Sequence, residues 1–349
     1  MEGITVEELQ LAARNHALPL ETLRSPITPI GLHYLLIHFD IPEVDAEQWR
    51  LSVGGLVERP FSLSLEELQS RPAKTLAVTL ECAGNGRALL SPRSLSQPWL
   101  LEAVGTAEWT GTPLAPILRE AGPVADATEV VFTGLDRGVQ GGVEHLYERS
   151  LSLDDALREE VLLAYAINGR PLPPQHGYPL RLIVPGWYGM THVKWLSAIT
   201  VGDGGFRGWQ QEEAYYFQRS EDDPGTPVTR MLPRSLLVPP GIPDFLSRER
   251  FLASGQCVLE GRAWSGLAPI TRVEVSDDGG ASWADAELGA AVSPFAWTGW
   301  RFTWDAVGGA HELCCRATDA AGNTQPLEPE WNVGGYCNNA VQRVRVTVS

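Results

Sequence analysis

The chain has 349 residues, enough for two domains, with 44% hydrophobic and 20% charged residues. That composition excludes a disordered chain. A formal charge of −16, from 43 acidic and 27 basic residues, disfavours nucleic acid and anionic membrane surfaces as partners, and no run of 18 apolar residues offers a transmembrane helix.

The first segment, Met1 to Gln10, is acidic and mixed. It carries neither the basic start and apolar core of a secretory leader nor a twin arginine, so the expected location is the cytoplasm. Ser64-Leu65-Glu66-Glu67 opens a short helix, and the apolar run at 75–80 reads as a buried strand. That strand runs into Cys82 and the glycine-rich stretch Ala83-Gly84-Asn85-Gly86-Arg87. A thiolate there is a soft metal ligand, and two glycines let backbone N–H groups approach a bound group closely. The competing reading of Cys82 is a buried structural thiol before a turn.

Thr112 and Pro113 read as the N-cap and first residue of a helix ended by Gly122. A strand is expected at 129–133, a helix over 153–160 behind a Ser152/Asp155 cap, and a strand at 180–184. In Pro174-Gln175-His176-Gly177-Tyr178-Pro179-Leu180-Arg181, a histidine and an arginine flank an extended X-Pro step, and both suit an anion such as phosphate. The irregular stretch from Pro185 to Trp195 interleaves glycines, aromatics, His192 and Lys194, as in a loop held against a bound group or at a tryptophan-rich core edge.

Residues 224–243 hold six prolines and read as an extended connector along the surface. Beyond it the pattern is β throughout. Val273 and Val275, then Trp300, Phe302 and Trp304, then Val344, Val346 and Val348 alternate with polar residues, and Asp277-Asp278-Gly279-Gly280 marks a hairpin. Six of the twelve tryptophans lie after residue 250, enough to fill a small sandwich core. Five cysteines with no C-x-x-C pair fit neither a disulfide framework nor a zinc site, and without C-x-x-C-H no attached haem is expected. Cys257, Cys314, Cys315 and Cys337 read as core thiols, with one of the adjacent pair turned outward. His33, His145 and His311 have no evident partner.

Taken together, Leu80-Glu81-Cys82-Ala83-Gly84-Asn85, His176 to Arg181, and His192-Val193-Lys194-Trp195-Leu196 resemble, in this order, the sulfite oxidase family of molybdenum-cofactor oxidoreductases. The likeness continues through Ala164 to Gly169, Ala263 to Gly266 and Val275 to Gly280, and so covers the chain from about Ile27 onward. It implies an α+β fold: a sulfite oxidase-type molybdopterin-binding domain over 1–223, the connector at 224–243, and an immunoglobulin-like antiparallel β-sandwich for dimerisation over 244–349.

The resemblance makes Cys82 the protein thiolate on molybdenum. It assigns cofactor contacts to Tyr34, Leu35, Leu36, Ile37 and His38, then to Asp136, His176, Arg181, His192, Val193 and Lys194. Tyr215 is the active-site tyrosine. Two substrate-facing arginines of the family stand here as Leu36 and Gly334, and Arg87 is the base that would compensate. Arg14-Asn15-His16 spells the family's first cofactor motif on the wrong side of Ile27-Thr28-Pro29 and is read as a decoy.

The implied activity is oxidation of sulfite or a related sulfur compound, with neither haem nor flavin in the chain. Electrons would leave to an external acceptor such as cytochrome c, and the chain would form a homodimer. The alternative is reduction of a neutral S-oxide, which needs no arginine pair. A third reading, from a different class, is a non-catalytic binding module built on the sandwich.

Overall fold

The computed structural model describes residues 3–349; Met1 and Glu2, the start of the stretch read for a leader, lie outside the described residues. Four sheets carry the fold, and the helices are short. The first domain is therefore richer in β structure than the α+β expectation.

One five-stranded sheet runs in the order Phe61–Leu63, Leu51–Gly55, Leu196–Gly202, Glu129–Gln140, Val143–Ser152. Its second pair is parallel, with Ser52 beside Ala198. A second sheet runs Lys74–Glu81, Val104–Pro113, Leu162–Ile167, Arg170–Pro171, and Arg181–Ile183 also pairs with Leu162–Ile167. The helix Leu114–Ala121 buries Leu114, Ile117, Leu118 and Ala121, the one-face spacing of an amphipathic helix. Gly122 ends it at φ +70°, as read from the sequence.

Its start differs from expectation. Thr112 and Pro113 finish the preceding strand, and no side chain caps the helix. The Ser64 helix forms over Leu65–Gln69 with a full capping box to Glu67. Ser152 does cap a helix, but that helix stops at Ala156 rather than running to 160. A helix not anticipated, Val6–Arg14, starts with a Thr5/Glu8 capping box.

The tail is a sandwich. A four-stranded sheet (Arg234–Leu237, Gly255–Trp264, Thr298–Ala306, Glu287–Leu288) faces a six-stranded one centred on Gly309–Asp319 and Gln342–Val348. Leu259, Val273, Val275, Trp300, Trp304, Leu313, Val344 and Val346 fill the space between. Arg250–Leu252 pairs in parallel with Gln342–Val348, so the sandwich is not wholly antiparallel.

Within the supposed surface connector, Arg234–Leu237 is a fully buried strand against Gly255–Trp264. No proline interrupts those four residues, so each can join the ladder. Cys314 and Cys315 are both buried, contrary to expectation. Cys315 packs in the sandwich core, while Cys314 lies on the other face between its cross-strand neighbours Ser276 and Arg343. Cys257 and Cys337 are half-buried.

Candidate active site

Cys82 follows directly on the strand Lys74–Glu81, and its N–H is held by the Ala103 carbonyl at 2.9 Å. Asn85 fixes the turn that follows. Its amide donates to Glu81 Oε1 and Leu101 O at 3.0 Å each, and its Oδ1 accepts from Ala103 N at 3.0 Å. The two glycines serve a purpose other than the expected one. A Cβ at Gly84 would meet Arg87 Nη1 at 2.6 Å, and one at Gly86, where φ is +90°, would meet Asn338 Nδ2 at 2.8 Å. They make room for protein side chains rather than for a ligand.

The sandwich grips this loop from the other side. Asn338 donates to Gly86 O at 2.8 Å, Cys337 N to Ala83 O at 2.8 Å, and Trp264 Nε1 to Glu81 Oε2 at 2.8 Å. Arg234 forms a fully buried ion pair with Glu81 Oε1.

The Cys82 side chain opens on a cleft that Tyr34, Asp136, His176, Arg181 and Tyr215 also line. Burial raises the thiol's pKa, opposed by the nearby Arg87 charge and a hydrogen bond from Gly84 N–H. At the far end sits a cationic group. Arg181 donates to the carbonyls of His176 (3.0 Å) and His192 (3.3 Å) and lies 4.7 Å over the Trp109 ring. Among the described residues it has no carboxylate partner, and burial lowers its pKa to about 10.

Lys194 donates to Leu36 O at 2.7 Å and Gln175 O at 3.3 Å. Burial, then Arg181, pushes its pKa down, while burial pushes that of Asp136 up. The His176 ring lines the cleft with no hydrogen bond of its own; burial, His33 and Arg181 drive its pKa to about 2. His38 Nε2 meets Gln140 Oε1 at 3.1 Å, and its pKa is lowered by burial. Tyr34 and Leu35 also face the cleft.

A molybdopterin suits these donors. Asp136 Oδ1, Arg181 Nε and His33 Nε2 are buried without partners, which is costly unless a polar group meets them. Two cations face one carboxylate, so the balance calls for an anion such as the pterin's phosphate. Cys82 is the one thiol on the cleft, and among the described residues no group of three His, Cys, Asp or Glu could hold a metal alone. The remaining ligands have to come with the cofactor.

Several residues assigned to the site sit elsewhere. The Ile37 side chain does not line the cleft, and its N–H donates to Asn15 Oδ1 at 2.7 Å. Val193 is packed in the core of the first sheet. His192 touches the cleft, but both ring nitrogens are committed: Nδ1 accepts from Val184 N (3.1 Å) and Nε2 donates to Trp187 O (3.1 Å). It ties its own loop and has no donor left for a phosphate.

Arg87 stays behind the wall, donating to Gly334 O at 2.9 Å with its guanidinium 4.9 Å from the Tyr336 ring centre. Tyr215 does line the cleft, at φ +64°, with its ring 5.1 Å from that of Tyr336. The decoy motif is a brace: His16 and Leu35 form a two-way backbone bridge, and Asn15 also bonds Gln97 at 2.9 Å.

The sequence reading missed His33, Tyr147 and Met190 on the cleft lining. His33 donates through Nδ1 to Tyr34 O (3.0 Å) and sits edge-on to Trp109 and His176; burial lowers its pKa to about 4. Only the alternation of Val143–Ser152 could have flagged Tyr147. His145 and His311 bond the carbonyls of Gln140 and Val307, at 2.8 and 2.9 Å.

Comparison with known proteins agrees with this geometry. Residues 38–210 match the oxidoreductase molybdopterin binding domain, and residues 233–349 the Mo-co oxidoreductase dimerisation domain. The fold and cleft are thus those of a molybdopterin-binding protein with an attached dimerisation domain. Mitochondrial sulfite oxidase of Rattus norvegicus is 35% identical over 347 residues, covering 93% of this chain and 62% of that protein. Nitrate reductase [NADH] 1 of Arabidopsis thaliana is 32% identical over 357 residues, covering 92% of this chain and 38% of that protein. The crystal structure of the sulfane dehydrogenase SoxCD from Paracoccus pantotrophus superposes with a TM-score of 0.81 at 26% identity, covering all of this chain and 93% of that one. The chain belongs to the sulfite oxidase family.

Proposed function

We propose that the protein oxidises a small sulfur anion, sulfite or a related sulfur compound, and passes the electrons to an external acceptor such as cytochrome c. For sulfite the balance is one sulfite and one water to one sulfate, two protons and two electrons. The molybdenum cofactor, when bound, supplies the two-electron oxygen-transfer chemistry. The observation that carries this reading is the meeting of Cys82, Tyr215 and the unpaired cations Arg181 and Lys194 in one cleft.

Each residue has a separable task. Cys82 presents its sulfur to the metal, whose charge overcomes the effect of burial on the thiol. Arg181, Lys194 and His176 hold the cofactor's anionic end, and Asp136 the polar edge of its ring. Tyr147 donates its proton to Met190 O at 2.8 Å. Tyr215 makes no such bond to backbone; its hydroxyl partners that of Tyr147, and its O–H would turn from there to a substrate oxygen. Burial raises its pKa well above the ordinary value, which keeps that proton in place.

Leu36 on the cleft wall favours a second reading, reduction of a neutral S-oxide. Steady-state assays on molybdenum-loaded protein separate them. Sulfite turnover with an artificial acceptor supports the first; a sulfoxide consumed with reduced dye, and no sulfite turnover, overturns it. A homodimer through the sandwich is part of the proposal, supported by Phe245 and Leu246, 84% and 85% exposed. Light scattering tests it.

A further inference from the structure

Behind the cleft wall lies a cation with no counter-charge. Arg149 follows Tyr147 by two residues on the strand Val143–Ser152, so both point to the same face. Tyr147 reaches the cleft, and Arg149 is buried behind it. Among the described residues it forms no salt bridge. Its one side-chain hydrogen bond goes to the Gln210 carbonyl, and its Nε has no partner. Gln210, 1% exposed, leaves Oε1 and Nε2 unpartnered as well.

Burial lowers the pKa of Arg149, and the side chains that most oppose this are Tyr147, Tyr215, Tyr216 and Tyr336. The Arg149 guanidinium lies 5.6 Å from the Tyr215 ring centre, Tyr215 is 5.1 Å from Tyr336, and Arg87 is 4.9 Å from Tyr336. Two buried arginines thus bracket a pair of tilted tyrosine rings, one of which lines the cleft and shares a hydrogen bond with Tyr147.

A buried guanidinium without a counter-ion is unfavourable until a negative charge arrives near it. Hydroxyls backed by a cation donate more strongly to an anion than to a neutral oxygen. We propose that Arg149 is a positioning and specificity residue: acting through Tyr215 and Tyr147, it makes the cleft select an oxygen-bearing anion over a neutral S-oxide, in place of the guanidiniums missing at Leu36 and Gly334. This deepens the sulfur-anion reading and rests on it.

The test uses molybdenum-loaded enzyme, wild type and the variants Arg149→Met and Arg149→Lys. Calorimetry gives sulfate affinity; steady-state assays give kcat and KM for sulfite with an artificial acceptor, and for dimethyl sulfoxide with reduced dye. Arg149→Met is expected to weaken sulfate binding and raise the sulfite KM by about tenfold or more, while kcat and the sulfoxide KM hold. Arg149→Lys recovers part of the loss. Unchanged sulfate affinity in Arg149→Met overturns the proposal, and so does an equal loss of kcat on both substrates. Should Arg149→Met not fold, a wild-type enzyme that fails to bind sulfate at millimolar concentration overturns it too. A wild type that binds sulfate in an Arg149-dependent way yet never turns over sulfite sinks the sulfite reading and leaves this one standing.

Discussion

The contact between the two domains behind Cys82 can be broken at one side chain. Arg234 and Glu81 are each 1% exposed and face each other across the boundary. Glu81 also accepts from Asn85 and Trp264, so its carboxylate is well satisfied, whereas Arg234 leaves Nε and Nη2 without partners. Arg234→Met removes the only counter-charge of a buried carboxylate and should cost about 3–5 kcal/mol. The double variant Glu81→Gln/Arg234→Met removes both charges; the amide oxygen keeps one of the two bonds from Asn85 and Trp264, which reach different oxygens of Glu81, and loses the other. It should therefore recover about half of the loss. Urea unfolding followed by tryptophan fluorescence measures both. Glu81 immediately precedes Cys82, so Arg234→Met should also lower retained molybdenum, read by metal analysis after dialysis. A loss below about 1 kcal/mol in the single variant, or simple additivity in the double, would refute the reasoning.

Cys82→Ser should abolish the cysteine-to-metal component of the charge-transfer absorption and reduce redox turnover by about a hundredfold or more, with the folded protein intact because the substitution is nearly isosteric. Undiminished turnover in that variant counts against the whole site assignment. Tyr215→Phe should lower turnover by about tenfold to a hundredfold while leaving metal content unchanged, since the hydroxyl and not the ring carries the donor. Buried His33, His176 and His192 have pKa values depressed to about 4, 2 and 3. The unfolded chain therefore binds more protons below the ordinary histidine value, and stability present above about pH 6.5 is lost as pH falls. Between pH 6.5 and 5 each histidine accounts for about 2 kcal/mol in the cofactor-free protein. His33→Gln should flatten the acid limb of a plot of unfolding free energy against pH; an unchanged slope would remove His33 from the set.

Much of the sandwich was legible because burial there follows chain order. Val344, Val346 and Val348 alternate with exposed or half-buried neighbours, and one face of the sheet is core. The Cys82 turn was legible for a related reason: Asn85 bonds within and next to its own loop. Thr112 and Pro113 misled because a strand the sequence reading did not anticipate, Val104–Pro113, runs through them and through Gly111, where a Cβ would strike Leu163 O at 2.1 Å. That contact is between strands and has no local signature. Cys314 misled because alternation predicts which face a residue takes, not whether the outer face is covered. Arg149 and Tyr147, on one strand, meet Tyr215 from a separate segment, and nothing in the spacing of 149 and 215 reveals it. His192 was found as a site residue by resemblance, but only the hydrogen bonds at both nitrogens show that its work is done on the protein.

The two halves of the cleft differ in how far they follow the family. The cofactor half keeps Cys82, His176, Arg181 and Lys194, and the orphaned polar atoms lie among them. In the substrate half, the positions that the resemblance aligns with family arginines are Leu36, on the cleft wall, and Gly334, where a Cβ would lie 2.3 Å from the Tyr336 ring. Placing an arginine at 334 therefore requires Tyr336 to move, and moving Tyr336 disturbs its tilted ring contact with Tyr215 and its contact with Arg87. The charge needed near Tyr215 cannot be regained at the old position without losing the tyrosine that now packs there. On the proposal above it comes from the arginines that bracket the two rings. That constraint couples the sandwich, through Gly334 and Tyr336, to substrate choice in the other domain.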